Sequence, residues 1–315
     1  MRRYAAVLLA LLALLTVAAC GEYDRAADER TGQQPQGANL RITLGTQEFP
    51  EARILGELWR QALAVNGYAV DLRKGVGPAA ELDTLLKNGE IDGHVAYTGT
   101  VLSVVAGERV SGLDPMATYE QAKRFYAGRG MAMSEMTPFQ NKDAIAVTDE
   151  LARRERLDSI ADLRRVRGLT LGARPEFEDL ELGLQGLTDA YRLSGVRFEP
   201  LELGTQYAAL DDGTVQAVDA FTTDPQLRSG TYTLLSDPKL LFGSQNVVMT
   251  VNQDKIDSVG GRKFLAVVSA VNRRLNQDDM VDMNAQVTAG DSDEDVAGRF
   301  LRDAGLMQPM RLDND

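Results

Sequence analysis

Cysteine and histidine are almost missing from this chain. Cys20 and His94 are the only representatives of their kinds. That excludes an internal disulfide, and it excludes any zinc site or Ser-His-Asp triad that needs another histidine. His94 falls on a predicted strand and reads as structural, and no metal or cofactor is expected. Basic residues are in deficit: 34 Lys and Arg stand against 46 Asp and Glu, for a formal net charge of −12. Nucleic acid is excluded as a partner, because neutralising phosphates needs a basic face. The acidity reads as a solubility feature. The apolar run from Ala5 to Ala19 is shorter than the ~20 residues a bilayer-spanning helix needs. What remains is a chain of 315 residues, 44% hydrophobic and 25% charged. It has the composition of a globular protein and room for one large or two ordinary α/β domains.

The N-terminus has its own pattern. Arg2-Arg3, then AAVLLALLALLTVAAC, make a charged region, an apolar region and a small-residue ending. The ending Leu15-Thr16-Val17-Ala18-Ala19-Cys20 resembles a bacterial lipobox. That resemblance implies a signal peptide over 1–19 and a mature chain starting at a lipidated Cys20, carried outside the cytoplasm on more than one acyl chain. Residues 20–39, rich in Gly, Gln and charge without apolar periodicity, read as a tether.

From residue 40 the pattern changes. Leu40–Gly45 alternates as a strand, Ala52–Asn66 has helical spacing, Tyr68–Leu72 is a second strand, and Ala79–Lys87 a second helix. This is the β-α-β-α-β grammar of a largely parallel sheet with covering helices. The stretch Leu86–Thr100, LKNGEIDGHVAYTGT, then runs helix end, glycine stop, strand and aromatic-Thr turn. It returns as Leu210–Asp224, LDDGTVQAVDAFTTD, with Gly89 matching Gly213 and Ala96-Tyr97-Thr98 matching Ala220-Phe221-Thr222. Ligands of α/β sheets sit at the carboxyl ends of strands, so each copy offers a ring and a hydroxyl to a cleft. Three other runs read as ordinary structure. Arg164-Arg165-Val166-Arg167 is a solvated face. Asp291–Asp295 caps a following helix rather than forming a calcium loop. Met131, Met133 and Met136 are core packing.

Several motifs together resemble a known family. GTQEFPEARILGEL and IDGHVAYTGT are similar to patterns in the substrate-binding proteins of ABC importers for glycine betaine, choline and carnitine. Pro138–Asn141, Ser159–Leu163, Glu176-Phe177 with Gly183, Gly186-Leu187 and Tyr191, then Ala220–Asp224 and Asn284–Val287, continue the likeness in order. It runs from about Leu40 to Leu306. The resemblance implies a type II periplasmic-binding fold of class α/β, with two lobes and a ligand cleft between them. Lobe I is expected over 40–141 plus 225–315 and lobe II over 142–224, with crossings near Asn141 and Thr223.

The resemblance also implies a ligand-binding set: Gln47, Glu48, Phe49, Tyr97, Thr98, Thr100, Asp143, Phe221, Thr223 and Gln245. Family members hold a quaternary ammonium in a tyrosine cage by cation–π attraction. A lysine, an arginine and a threonine take the ligand carboxylate. Tyr97 and Thr100 match, but Gln47 stands at the lysine position and Leu180 at the arginine position. Asp143, Phe221 and Gln245 stand where tyrosines are expected. Without those cations the cleft should pair a carboxylate poorly and suit a polyol- or sugar-like solute or a cationic amine better than a zwitterionic betaine. The expected function is that of an extracytoplasmic, lipid-anchored solute-binding lipoprotein of an osmoprotectant-type importer, partnered by an ABC permease and not an enzyme. The alternatives are a cleft hydrolase using Glu48 and Asp143 as a carboxylate pair, and a non-transporting sensor or scaffold lipoprotein. The anchor is directly testable. Cys20→Ala should move the protein out of the membrane fraction, and a variant as membrane-bound as its parent would remove the lipobox assignment.

Overall fold

A computed structural model describes residues 41–310 apart from residue 203. The leader, Cys20 and the tether lie outside the described residues. Two five-stranded sheets carry the architecture. The first contains β1 (Arg41–Gly45), β2 (Ala69–Arg73), β3 (Gly93–Tyr97), β4 (Met131–Met133) and β10 (Val247–Asn252), in the order β2-β1-β3-β10-β4. The second contains β5 (Asp143–Thr148), β6 (Thr170–Ala173), β7 (Arg197–Pro200), β8 (Ala217–Phe221) and β9 (Tyr232–Leu235), in the order β7-β6-β8-β5-β9. The orders correspond strand for strand, and β3 and β8, the two copies of the repeat, hold the same central place.

Within each sheet four strands share one direction, and the strand entering from the other sheet runs against them. In the first sheet β1 pairs parallel with β2 and β3, while β10 lies antiparallel between β3 and β4. In the second, β6 pairs parallel with β7 and β8, and β5 lies antiparallel between β8 and β9. Burial follows position. Every residue of the central β3 is buried, whereas the edge strand β2 alternates between partly buried and exposed.

The chain passes from the first sheet to the second between β4 and β5 and returns between β9 and β10. After Phe221 it makes a short turn at Pro225–Ser229 and adds β9 to the outer side of β5 before crossing back. Residues 232–235 therefore sit with the second sheet, and the expected return near Thr223 is corrected to the segment ahead of β10. The physical reason is edge cover: β9 satisfies the backbone groups that β5 would otherwise leave open. The return lies beside the outward crossing, where Gln140 and Asn246 form an isolated antiparallel bridge.

Both faces of each sheet are covered. The helix α1 (Pro50–Val65) lays Ile54, Leu55, Leu58, Trp59, Ala62 and Leu63 on one face of the first sheet. The helices Gly261–Asn272, Gln277–Thr288 and Asp293–Asp303 share that core. The helix α2 (Ala79–Asn88) and Pro115–Ala127 cover the opposite face, where Met131 and Met133 are core residues. α2 ends on Gly89 in the left-handed conformation, φ 73°, and Gly213 has φ 77° at the same point of the second copy. Arg164, Arg165 and Arg167 are exposed, and Ser292 caps the helix that Asp293 opens.

Trp59 is fully buried and its Nε1 donates to Asn272 Oδ1 at 2.8 Å. Asn272 in turn donates to Ser134 Oγ and Glu135 O, tying α1 to a distant helix and to the loop after β4. Trp59→Phe should leave Asn272 Oδ1 buried and unpaired. Denaturant unfolding should then show a loss of about 1–3 kcal/mol beyond that caused by the smaller ring.

Candidate functional site

Four strand ends converge between the sheets. β1 ends at Gly45 and leads into Gln47, Glu48 and Phe49; β3 ends at Tyr97. From the second sheet β6 leads to Arg174 and β8 ends at Phe221. With the crossing residues Asn141–Asp143, the N-terminus of α2, Thr100 and Gln245, they line a cleft of about 540 Å³. That is within the ~300–1,000 Å³ common for small-molecule sites. The register explains why the two aromatics meet there. Tyr97 pairs with Val247, the first residue of β10, and Phe221 pairs with Asp143, the first residue of β5. Each ring therefore sits where the chain leaves one sheet for the other.

The polar groups are strongly constrained. Phe49 and Tyr97 pack with ring centroids 5.8 Å apart and an interplanar angle of 41°. The Tyr97 hydroxyl donates to Glu51 Oε1 at 2.9 Å. Glu51, at the start of α1, also accepts from Asn141 Nδ2 at 3.0 Å, from Asn284 Nδ2 at 3.3 Å and from Thr223. Burial pushes the Glu51 carboxyl up, and these donors only partly oppose it. Burial and the neighbouring Glu51 likewise push the Tyr97 phenol well up, so it stays a donor. Gln245 Oε1 accepts from the Thr100 amide at 2.9 Å, and Gln245 Nε2 donates to Thr100 Oγ1 at 3.1 Å. Gln47 donates Nε2 to Val95 O at 3.2 Å and leaves its buried Oε1 without a partner.

On the opposite wall is a charged cluster. Arg174 grips Asp143 with two nitrogens, at 3.0 and 3.3 Å, and also bonds Asp219 Oδ2. Its guanidinium carbon lies 5.8 Å from the centre of the Phe221 ring. Asp219 is 5% exposed, and burial first, then the like charge of Asp143, push its carboxyl well up against the opposing pull of Arg174.

Eight of the ten expected ligand residues line this cleft: Gln47, Glu48, Phe49, Tyr97, Thr100, Asp143, Phe221 and Gln245. Thr98 does not; it is fully buried beneath, its hydroxyl directed at Ser244 O. Thr223 borders a neighbouring chamber instead. Leu180 is 40% exposed and lies outside the cleft lining. Gln47 and Leu180 stand where the family's cations are expected, but two other cations, Lys142 and Arg174, line the cleft. Arg174 stands two residues before the Glu176-Phe177 motif, just past the carboxyl end of β6. The rule that placed Tyr97 and Phe221 at strand ends would have found it. His94 is buried in β3, held neutral by burial, with Nδ1 against Val95 O at 2.8 Å.

Residues 41–303 match the family described as the substrate-binding domain of ABC-type glycine betaine transport systems. The chain belongs to that family. It is a substrate-binding protein of ABC import, and its fold is that of the family's periplasmic-binding members. Among its relatives is a glycine-betaine-binding protein of Pseudomonas aeruginosa, 28% identical over 285 residues that cover 86% of this chain and 90% of the relative. A carnitine transport binding protein, OpuCC of Listeria monocytogenes, is 23% identical over 64% of this chain and 67% of its own. In three dimensions it is similar to a glycine betaine/carnitine/choline ABC transporter protein, TM-score 0.77 at 20% identity, covering 85% of this chain and all of the other. Apo YehZ from Escherichia coli gives a TM-score of 0.72 at 20% identity, covering 86% of this chain and all of the other. At these identities the structures establish the fold.

The raised Asp219 carboxyl has a signed consequence. A carboxyl whose pKa is higher folded than unfolded favours the fold at acid pH, and that contribution is lost as pH rises through the folded value. Stability of the wild type relative to Asp219→Asn should therefore fall as pH is raised from the ordinary aspartate value of 3.8. Thermal unfolding of both proteins across that range checks the sign.

Proposed function

We propose that the chain captures a small quaternary-ammonium solute without a carboxylate, choline-like rather than betaine-like. It would then deliver the solute unchanged to an ABC permease. One observation carries the choice: the Arg174 guanidinium is already matched by three carboxylates, Asp143, Asp219 and the more exposed Glu176. The positions at which the family's cations would pair a ligand carboxylate are Gln47 and Leu180. A zwitterion would have to displace Asp143 from Arg174 and leave it facing the incoming carboxylate in a partly desolvated wall, where like charges are costly. A cation leaves the Arg174 cluster intact, and the carboxylates on the wall offset the like charge of Lys142. It finds the faces of Phe49, Tyr97 and Phe221 and the carboxylates of Glu48 and Asp143 on the same cleft.

The chain reads as a binder rather than an enzyme. The carboxylate pair considered for hydrolysis, Glu48 and Asp143, has Asp143 held by two bonds from Arg174, which opposes a role as free base. The lipobox ending at Cys20 supports an extracytoplasmic location with a lipid anchor, and the family supports a permease partner.

Titration calorimetry with choline, glycine betaine and a neutral polyol tests the reading. Choline should bind more tightly than glycine betaine by about tenfold or more, the equivalent of ~1.4 kcal/mol. Asp143→Asn should remove one of the carboxylates on Arg174, shifting that ratio toward glycine betaine. Tighter binding of glycine betaine or of the polyol by the wild type would sink the proposal.

A further inference from the structure

Beside the cleft is a second chamber of about 290 Å³. It shares Phe49, Asn141 and Phe221 with the cleft, so the same two rings border both spaces. Pro50 and Pro225 add apolar wall. Two carboxylates line it, Glu51 and Asp224, and both are largely buried. Asp224 Oδ2 accepts from Tyr207 and from the Phe221 amide, and Glu51 accepts from the side chains already described. Among the described residues no lysine or arginine lies within ion-pair distance of either. Burial pushes both carboxyls up, because neither has a countercharge to hold its ionised form.

An independent observation points the same way. Asn284 is 7% exposed, lines the chamber, and leaves Oδ1 with no partner. Its amide cannot simply flip. Nδ2 already serves Glu51 Oε2 at 3.3 Å and Thr223 O at 3.0 Å, and a flip would set oxygen against two acceptors. Asn141 repeats the pattern: Nδ2 is on Glu51 and Oδ1 is unpartnered. The chamber thus offers aromatic faces, two carboxyl groups that a bound cation would hold ionised, orphaned amide oxygens, and no cationic group of its own. That combination favours a poorly hydrated organic cation, which gains cation–π attraction and needs no strong acceptor at every face.

We propose that this chamber is a second organic-cation site, taking an alkyl- or trimethylammonium head group next to the Phe49–Phe221 pair. The cleft then accepts a solute with two cationic ends, one on each side of the shared rings. The inference rests on the cleft being the solute site, and it extends the ligand class from one head group to two.

The probe is hexamethonium, whose two trimethylammonium groups are joined by a hexane chain, compared with hexyltrimethylammonium, which has one. Calorimetry on the wild type should show hexamethonium binding more tightly by about tenfold. Thr288 lines only the chamber and is exposed at the end of a helix, so Thr288→Trp fills the space without touching the core. That variant should lose the hexamethonium advantage while binding choline like its parent. Glu51→Gln, which removes one anion and keeps the shape, should reduce the advantage as well. Equal affinity for the two compounds, binding of neither, or an advantage that survives both variants would overturn the proposal. A chamber that holds only water gives the first of these. The choline–betaine comparison is decided separately: a wild type that prefers betaine yet shows the Thr288-dependent advantage loses the first reading and keeps this one.

Discussion

The structure depends on an exchange of strands. β3 and β8 are central, each parallel to one neighbour, and each needs a partner on its other side for its backbone groups. Neither half supplies that partner from its own run of chain. β5 arrives from the first half and β10 returns from the second, each antiparallel and each starting opposite an aromatic residue. The cleft is thus built by the pairing that completes the sheets. A strand cannot be shifted by one residue without moving its side chains to the other face and the ring away from the cleft.

Electrostatics then sets what the cleft can hold. Three acids lie behind or beside it: Glu51 among neutral donors and Asp224 under a tyrosine hydroxyl and a backbone amide, both on the neighbouring chamber, and Asp219 behind Arg174. Only Asp219 has a cation, and that cation also serves Asp143. The cleft wall balances Glu48 and Asp143 with Lys142 and Arg174, whereas the neighbouring chamber is lined by Glu51 and Asp224 without a basic side chain. A zwitterion needs both signs available to the ligand. Here Arg174 is taken up by the protein's own carboxylates, which leaves Lys142 as the cation on the cleft wall outside that cluster.

Much of the fold was legible because its signals are local. Alternation in Leu40–Gly45, helical spacing in α1, and glycine stops at Gly89 and Gly213 each act within a few residues. The repeat identified the central strands and both cleft aromatics. What stayed hidden was non-local or weakly patterned. β9 is a four-residue edge strand, only partly buried until Leu235, and such a strand needs little hydrophobic pattern. The Arg174 cluster joins residues 31 and 45 positions apart. Glu51 was visible as a motif letter, but its donors come from 46, 90 and 233 positions away. No local rule brings such groups together; only the completed topology does.

The bridge between Gln140 and Asn246 carries one more consequence. The two links between the halves run side by side and are bonded to each other, with Thr222 holding Lys142 and Gln140 alongside. A paired ribbon of this kind bends easily across its flat face and resists shear along its length. Relative rotation of the halves would then follow one low-resistance direction, on the microsecond-to-millisecond scale typical of hinges. Its hydrogen bonds would survive at both extremes, so the link itself would favour neither. The balance between open and closed forms would be left to whatever occupies the space between the rings.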